Sequence, residues 1–272
     1  ATALCGASLA LCGAAMQGLL RNPLADGSTL GVSAGASLGA VTALLLGISF
    51  PGLPFAGTMV TAMLFALGSL ILILSLSYAA DRGMSTQTII LMGVVLSMFV
   101  TSIISLLTAF SGEKLRSITF WTMGSLSGAG YTEALVLLGA LAVFGGVLLS
   151  RADELNAFSL GEDAARHMGV AVRPVKLTVL VCVAALIGVC VSVGGSIGFV
   201  GLIVPHAARL FVGADHRRVL PLSLFMGAIF LMLADLLART VVSPIELPIG
   251  VVTSLVGSVV FVVLFFRRRR LC

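Results

Sequence analysis

The chain has 272 residues, of which 59% are hydrophobic and 10% charged, and its mean hydropathy is +1.17. Soluble domains carry about 25% charged residues, so this composition excludes a water-soluble enzyme, a disordered chain, a collagen and a coiled coil. Apolar runs of about twenty residues fit membrane-spanning helices rather than the alternating segments of a transmembrane β-barrel. The net charge of +5 is then a topology signal. The predicted fold class is all-α, a polytopic transmembrane helical bundle.

Nine apolar stretches have about the length of a membrane span. Short loops join most of them, which indicates a single transmembrane domain over residues 1–272. In chain order the predicted spans are 2–20, 28–48, 57–79, 89–110, 133–150, 174–193, 196–213, 219–239 and 247–266.

The basic residues set the orientation, because cytoplasmic loops are enriched in lysine and arginine. With the loop after the first span in the cytoplasm, only Lys114, Arg116 and Arg239 of the 16 lysines and arginines fall outside. The C-terminus is then cytoplasmic and Ala1 is external. We therefore expect one further span ahead of Ala1 that this sequence does not contain.

Two loops are long enough to fold, and they lie on opposite sides of the membrane. Residues 111–132 mix charges, the only tryptophan and a Gly/Ser run. This pattern predicts a short helix and a turn at the outer face. Residues 151–173 form the longest cytoplasmic segment.

In that cytoplasmic segment, SLGE at residues 159–162 fits a capping box, which would start a helix at about Leu160. Leu160, Ala164 and Met168 would then share one face, and Gly169 would end the helix. A helix this short is marginal alone. It either rests on the lipid headgroups or is stabilised by a partner protein, and the second alternative is favoured.

The sequence contains no motif for an active site or a metal centre. A phosphate-binding loop needs a Gly-Lys pair, and neither Lys114 nor Lys176 follows a glycine. The histidines His167, His206 and His216 stand apart without ligand spacing. The serines belong to small-residue helix faces rather than to a nucleophile elbow. We predict no catalytic residue, no metal site and no cofactor bound by this chain.

Small residues recur at helical spacing, with Gly27, Gly31, Gly35 and Gly39 four residues apart. Such faces let helix backbones approach closely in a bilayer. We interpret them as packing faces, the alternative being helices that slide or pivot. The five cysteines lie in apolar runs or at the last position, and they are interpreted as small buried hydrophobes.

Charges inside the apolar region are few, which makes Asp235 and Arg239 notable. Their spacing of four residues places them on one helix face. Either they form an ion pair at a helix end, with the arginine reaching the interface, or Arg239 is an outward-facing docking charge.

Seven segments together resemble one family. They are GAAMQGLLRNPLADGSTLGVSAGASLGA (13–40), RSITFWTMGSLSGAG (116–130), LGEDAARHMGV (160–170), GSIGFVGLIVPHAARL (195–210), DHRRVLPLS (215–223), LADLLART (233–240) and ELPIGVVTSLVGSVVF (246–261). In these segments the chain is similar to the permease subunits of type II ABC importers for iron-siderophores, haem and cobalamin, the FecCD-type family. The resemblance implies a ten-helix fold whose first helix is absent from this chain.

The resemblance also implies partners and sites in the bacterial inner membrane. A homodimer would work with two cytoplasmic ATPase subunits, which hold ATP and Mg, and with a periplasmic substrate-binding protein. Segment 156–172 matches the element that docks to the ATPase, and Arg239 a position that meets the binding protein. The coupling residues so indicated are Ser159, Leu160, Gly161, Glu162, Ala164, Arg166, His167, Met168 and Gly169. The residues that match the cytoplasmic gate are Asn22, Leu24, Ser85 and Thr86.

The leading hypothesis is therefore a transport subunit that carries a bulky iron chelate, haem before a ferric siderophore, while a partner hydrolyses ATP. A cobalamin permease is the alternative within the family. A secondary transporter driven by an ion gradient would need ionisable residues near the bilayer midplane, whereas the charges here cluster at span ends. A purely structural membrane subunit would carry no flux at all.

Overall fold

The computed structural model describes residues 1–27, 31–49 and 56–269, with side chains as far as residue 263, and the regular structure in these ranges is helical. The helices are α1 (Thr2–Leu19), α2 (Val32–Leu46), α3 (Ala56–Ala80), α4 (Thr86–Ala109), α5 (Leu115–Thr122), α6 (Tyr131–Ala140), α7 (Gly146–Ser150), α8 (Ala152–Ser159), α9 (Glu162–His167), α10 (Val172–Gly194), α11 (Val200–Val212), α12 (His216–Thr240) and α13 (Ile249–Arg269). A single π-helical stretch, Leu141–Gly145, joins α6 to α7, so these two form one rod. The chain is an all-α bundle.

Six helices in the described ranges are long and apolar enough to cross a membrane: α1, α3, α4, the α6–α7 rod, α10 and α12. Helices α2 and α11 are shorter, and α13 is apolar throughout the part whose side chains are described, Ile249–Val263. Every predicted span contains one of these elements, although the start of span 28–48 lies outside the described residues. The total of nine spans stays a prediction, and so does the helix expected ahead of the chain.

The helices α1 and α10 form the centre of the bundle. In each of them 78% of the most apolar window is buried, against 17–33% in the other four long helices. Helix α1 packs against α10, α11 and α12, while α2 packs against α3. The less buried helices expose large apolar side chains such as Phe99 and Leu236, as expected of surfaces that face lipid or another subunit.

Helix α1 meets its neighbours through glycine. A Cβ on Gly13 would overlap the backbone of Gly201 in α11, and one on Gly6 would overlap the carbonyl oxygen of Gly227 in α12. Lipid tails are as apolar as leucine, so close backbone packing rather than apolar burial holds such helices together. These three helices therefore form one tightly packed unit.

The predicted packing role of the four-residue glycine repeat is confirmed where it lies in α2. A Cβ on Gly35 would overlap Ser69, and one on Gly39 would overlap the carbonyl oxygen of Thr61, both in α3. The cysteines Cys5, Cys12, Cys182 and Cys190 are buried as predicted, whereas Cys272 lies outside the described residues.

The contact of α1 with α11 gives a test of this packing. Gly13→Ala should lower the apparent melting temperature in detergent, because overpacking typically costs about 1–3 kcal/mol. The matched control is Gly68→Ala in α3, whose added Cβ would meet nothing within 4 Å. There alanine should be neutral or stabilising by up to about 1 kcal/mol. Equal melting temperatures for the two variants would contradict the close α1–α11 contact.

Candidate functional site

The cytoplasmic segment 151–173 folds as two short helices rather than one. Helix α8 runs through Ser159, and α9 begins at Glu162 after Gly161, whose φ of +115° favours glycine. The predicted capping box is therefore wrong. Because α8 is still helical at residue 159, the Ser159 hydroxyl donates back to the carbonyl of Leu155 at 3.2 Å. We call residues 152–169 the hairpin.

The predicted stop at Gly169 is confirmed. Gly169 has a φ of +86°, and its amide donates to the carbonyl oxygen of Arg166 at 2.9 Å. The amide of Val170 donates to the carbonyl oxygen of Ala165 at 3.0 Å. These two bonds form the Schellman motif. The Gly-terminated end of α9 is thus fixed by backbone hydrogen bonds.

The predicted common face of Leu160, Ala164 and Met168 is wrong in its geometry, since Leu160 lies between the two helices. Leu160 and Met168 are nevertheless both exposed, at 69% and 52%, and line one groove of about 440 Å³ at the α8 side of the hairpin. Leu155 and Phe158 of α8 are fully buried and anchor the hairpin to the bundle. The hairpin is therefore anchored to the bundle by buried side chains and exposes two large apolar side chains on its other side.

Helix α8 is attached to the start of α12. The side chain of Asn156 donates to Asp215 at 2.7 Å and accepts from the amide of His216 at 2.8 Å. Arg217 forms an ion pair with Asp153 of α8. The hydrogen bond from Asn156 lowers the pKa of Asp215, and the one from Arg217 lowers the pKa of Asp153. Both carboxylates are thus charged at neutral pH, and they hold α8 to α12.

Helix α9 is attached to α10 and α4 through Lys176. Lys176, the fifth residue of α10, is 3% exposed, and its Nζ lies 2.6 Å from Glu162 Oε1. The same Nζ donates to the carbonyl oxygen of Met84 at 3.0 Å. Thr86 of α4 donates to Glu162 Oε1 at 3.2 Å. A charged residue in an apolar run implies such a partner, and that signal could have indicated Lys176 from the sequence.

The turn that leads into α4 contains two of the predicted gate residues. Asp81 accepts from the amides of Gly83 at 2.8 Å and Ser85 at 2.9 Å, and the bond from Ser85 lowers the pKa of Asp81. Ser85 caps the N-terminus of α4 by accepting from the amide of Thr88. Met84 has a φ of +50°, which is uncommon for a residue other than glycine. We call residues 81–86 the α4 turn.

The other predicted gate residues lie after α1. Asn22 accepts from the amide of Leu24 at 2.9 Å, and Leu24 is 52% exposed. Close by is a cavity of about 350 Å³, and its polar lining residues are Gln17, Arg21, Ser159, His206, Arg209 and His216. No described residue that lines it is acidic. This basic cavity joins the end of α1 to the hairpin.

Arg239 lies at the opposite end of α12 from these contacts, roughly 36 Å along a helix of this length. The predicted pair is confirmed: Arg239 Nε lies 3.1 Å from Asp235, and Nη1 lies 3.9 Å from Glu246. Its side chain is 39% exposed, so it can also reach water.

The predicted short helix of the loop 111–132 is present as α5.

Comparison with known proteins decides the family. A model described as the FecCD transport family matches residues 1–267. The chain belongs to the FecCD transport family. It is accordingly the permease subunit of an ABC importer and a multi-pass inner-membrane protein. In such an importer a separate ATPase subunit hydrolyses ATP.

Individual relatives agree with this family. The chain is 45% identical to the uncharacterized ABC transporter permease YvrB of Bacillus subtilis, over 98% of this chain and 76% of that protein. It is 39% identical to the hemin transport permease HmuU of Yersinia pestis, over 97% and 79%. A solved structure described as an inward-facing metal-chelate type ABC transporter superposes with a TM-score of 0.90 at 36% identity, over 98% of this chain and 84% of that one.

The relatives differ in the cargo for which they are named. At 38% identity, over 99% of this chain and 79% of that protein, the chain matches the molybdate permease MolB of Haemophilus influenzae. At 39% identity, over 95% and 68%, it matches the cobalamin permease BtuC of Halobacterium salinarum. The family is therefore defined by the transport machinery, and its members carry chemically different cargoes.

Proposed function

We propose that this permease imports a bulky, negatively charged iron chelate, with haem as the first candidate and a ferric siderophore as the second. It acts as a homodimer with two ATPase subunits and a periplasmic substrate-binding protein. ATP and Mg²⁺ bind to the ATPase, because this chain has no Gly-Lys phosphate loop, and the permease domain holds no cofactor of its own. The hairpin and the C-terminus lie in the cytoplasm, as the distribution of basic residues indicates.

The basic cavity supports an anionic cargo. Arg21 and Arg209 both line it, and Arg21 directly precedes Asn22, one of the predicted gate residues. Haem carries two propionate groups, and many ferric chelates are anionic, whereas cobalamin has amides in place of carboxylates. A cavity of this charge, on the side predicted to face the cytoplasm, attracts an anion towards that side.

Uptake into proteoliposomes tests the cargo. The complex with its cognate ATPase and binding protein should accumulate haemin, or an anionic ferric tricatecholate, only when ATP is present. Arg21→Gln should slow this uptake by up to about fivefold, the equivalent of a surface charge contribution of about 0.2–1 kcal/mol. Lys114→Gln, which removes a basic residue predicted to lie outside, is the control. ATP-dependent uptake of cyanocobalamin or molybdate alone would contradict the proposed cargo, and uptake driven by an ion gradient without ATP would contradict the mechanism.

The hairpin is the proposed contact with the ATPase. Its support is the combination of exposed Leu160 and Met168 with buried anchors beneath them. Polar residues of α8 and of the start of α12 line the same groove as the two apolar side chains, and Arg166 and Asp163 of α9 form an exposed pair at 3.5 Å. Apolar side chains ringed by polar ones are the usual composition of a protein–protein interface.

Proline substitutions in α9 test this role. Because α9 begins at Glu162, the position of the proline decides whether the helix is broken. Ala164 lies in the first turn, where proline is tolerated because its amide has no partner within the helix. Arg166→Pro, two residues later and beyond the first turn of α9, should cost about 3 kcal/mol of helix stability. We expect Arg166→Pro to abolish coupled transport in the purified complex while Ala164→Pro retains it.

A third variant completes that experiment. Arg166→Ala separates the loss of the charge from the loss of the helix, and it should remain active. If Arg166→Pro hydrolyses ATP and transports cargo at the parent rate, the hairpin is not the coupling element.

Arg239 is the proposed contact with the binding protein on the outer side. Its guanidinium is partly exposed beside Asp235 and Glu246, so it can exchange one carboxylate for another at small cost. Arg239→Glu should weaken binding of the binding protein, most strongly at low salt, because rim charges act through screened attraction. Arg116→Glu, which changes another exposed arginine predicted to lie outside, is the control. Equal affinity of the Arg239→Glu variant and the parent at low salt would leave Arg239 with a local role only.

A further inference from the structure

Lys176 is the most deeply buried charged side chain described, and its surroundings are unusual. It is 3% exposed, and a buried ammonium needs both a counter-charge and further hydrogen bonds. Glu162 provides the charge at 2.6 Å, and the carbonyl oxygen of Met84 provides the second contact at 3.0 Å. These two contacts belong to different elements, the hairpin and the α4 turn.

Glu162 completes a three-way junction. Its Oε1 accepts from Lys176 of α10 and also from Thr86, the first residue of α4. One carboxylate oxygen therefore connects three helix N-termini, those of α9, α10 and α4. The backbone of the α4 turn is in addition tied internally through Asp81, so the turn is held as a unit.

The other ion pairs that involve the hairpin do not reach the α4 turn. Arg151–Glu154 and Arg166–Asp163 lie within the segment at a spacing of three residues. Asp153 pairs with Arg217 and so connects α8 to α12. Among the described ion pairs, Glu162–Lys176 is thus the one that leads from the hairpin to the α4 turn.

We infer that Glu162 and Lys176 are positioning residues that make the α4 turn follow the hairpin when the ATPase moves it. The inference rests on the proposed coupling role of the hairpin and on the gate role that the family resemblance predicts for Ser85 and Thr86. Helix α9 has six residues, and Met84 is the one buried apolar residue of the α4 turn, so neither element is held in place by a large apolar contact of its own. The buried ion pair fixes one to the other.

The experiment reports the movement of the α4 turn directly. Gln87, exposed and one residue beyond Thr86, is replaced by cysteine in a Cys272→Ser background, in which the remaining native cysteines are buried. The complex with the cognate ATPase is labelled with a membrane-impermeant maleimide, without nucleotide and with ATP, Mg²⁺ and vanadate. The measured quantity is the ratio of the two labelling rates.

Three variants are compared with the parent. In Glu162→Gln/Lys176→Met both charges are removed together, so no buried charge is left without a partner and the fold should survive. Lys176→Arg keeps a donor for both Met84 and Glu162. Glu154→Gln is the matched control, because Glu154 has the same 24% side-chain exposure as Glu162 but pairs within the segment.

We expect the labelling ratio of the assembled double-variant complex to fall to about 1, since an uncoupled turn has no preference between the two states. Lys176→Arg and Glu154→Gln should keep the ratio of the parent. A double variant with the parent ratio would overturn the inference alone. A parent ratio of about 1 would instead contradict the predicted gate role of the α4 turn, and the inference with it.

Discussion

Close backbone contact between α1 and its neighbours is the constraint on which the rest of this permease depends. In lipid, helices gain little from burying apolar side chains against one another, so the glycines that bring α1 against α11 and α12 fix the geometry of the bundle. A unit packed in this way cannot deform continuously. Movement has to enter at its ends and to displace helices as bodies.

The hairpin is attached where such displacement would begin. Asn156 ties α8 to the first residues of α12, and Glu162 ties α9 to the first residues of α10 and α4. One contact leads to the tightly packed α1–α11–α12 unit and the other leads to the α4 turn. A displacement of the hairpin would thus act both on the tightly packed α1–α11–α12 unit and on the turn that contains Ser85 and Thr86.

Hydropathy and charge predicted the fold class and the place of each apolar helix, because a run of apolar residues has one stable solution in a bilayer. Local motifs were less reliable. SLGE satisfies the capping-box pattern, but the Ser159 hydroxyl is already bonded inside α8, and a four-residue pattern cannot reveal a helix that precedes it. Gly169 was predicted correctly, since a helix stop of this kind is local: it needs one residue that readily takes a positive φ and two backbone hydrogen bonds within the last turn.

The contacts that organise the site were beyond a local reading. Glu162 and Lys176 are 14 positions apart, Asn156 and His216 are 60 apart, and Lys176 and Met84 are 92 apart. Such pairs follow from the packing of whole helices, so only the general expectation of a partner for a buried lysine was available from the sequence.

The central claim is that the ATPase acts on the permease through the hairpin, and site-specific photo-crosslinking tests it most directly. A photoreactive phenylalanine derivative would replace Leu160 or Met168, and as a control Tyr131, which is 92% exposed and predicted to lie at the outer face. The account predicts crosslinks to the ATPase subunit from positions 160 and 168 and none from position 131. The account would be contradicted if positions 160 and 168 gave no crosslink to the ATPase, or if position 131 gave one as strong as theirs.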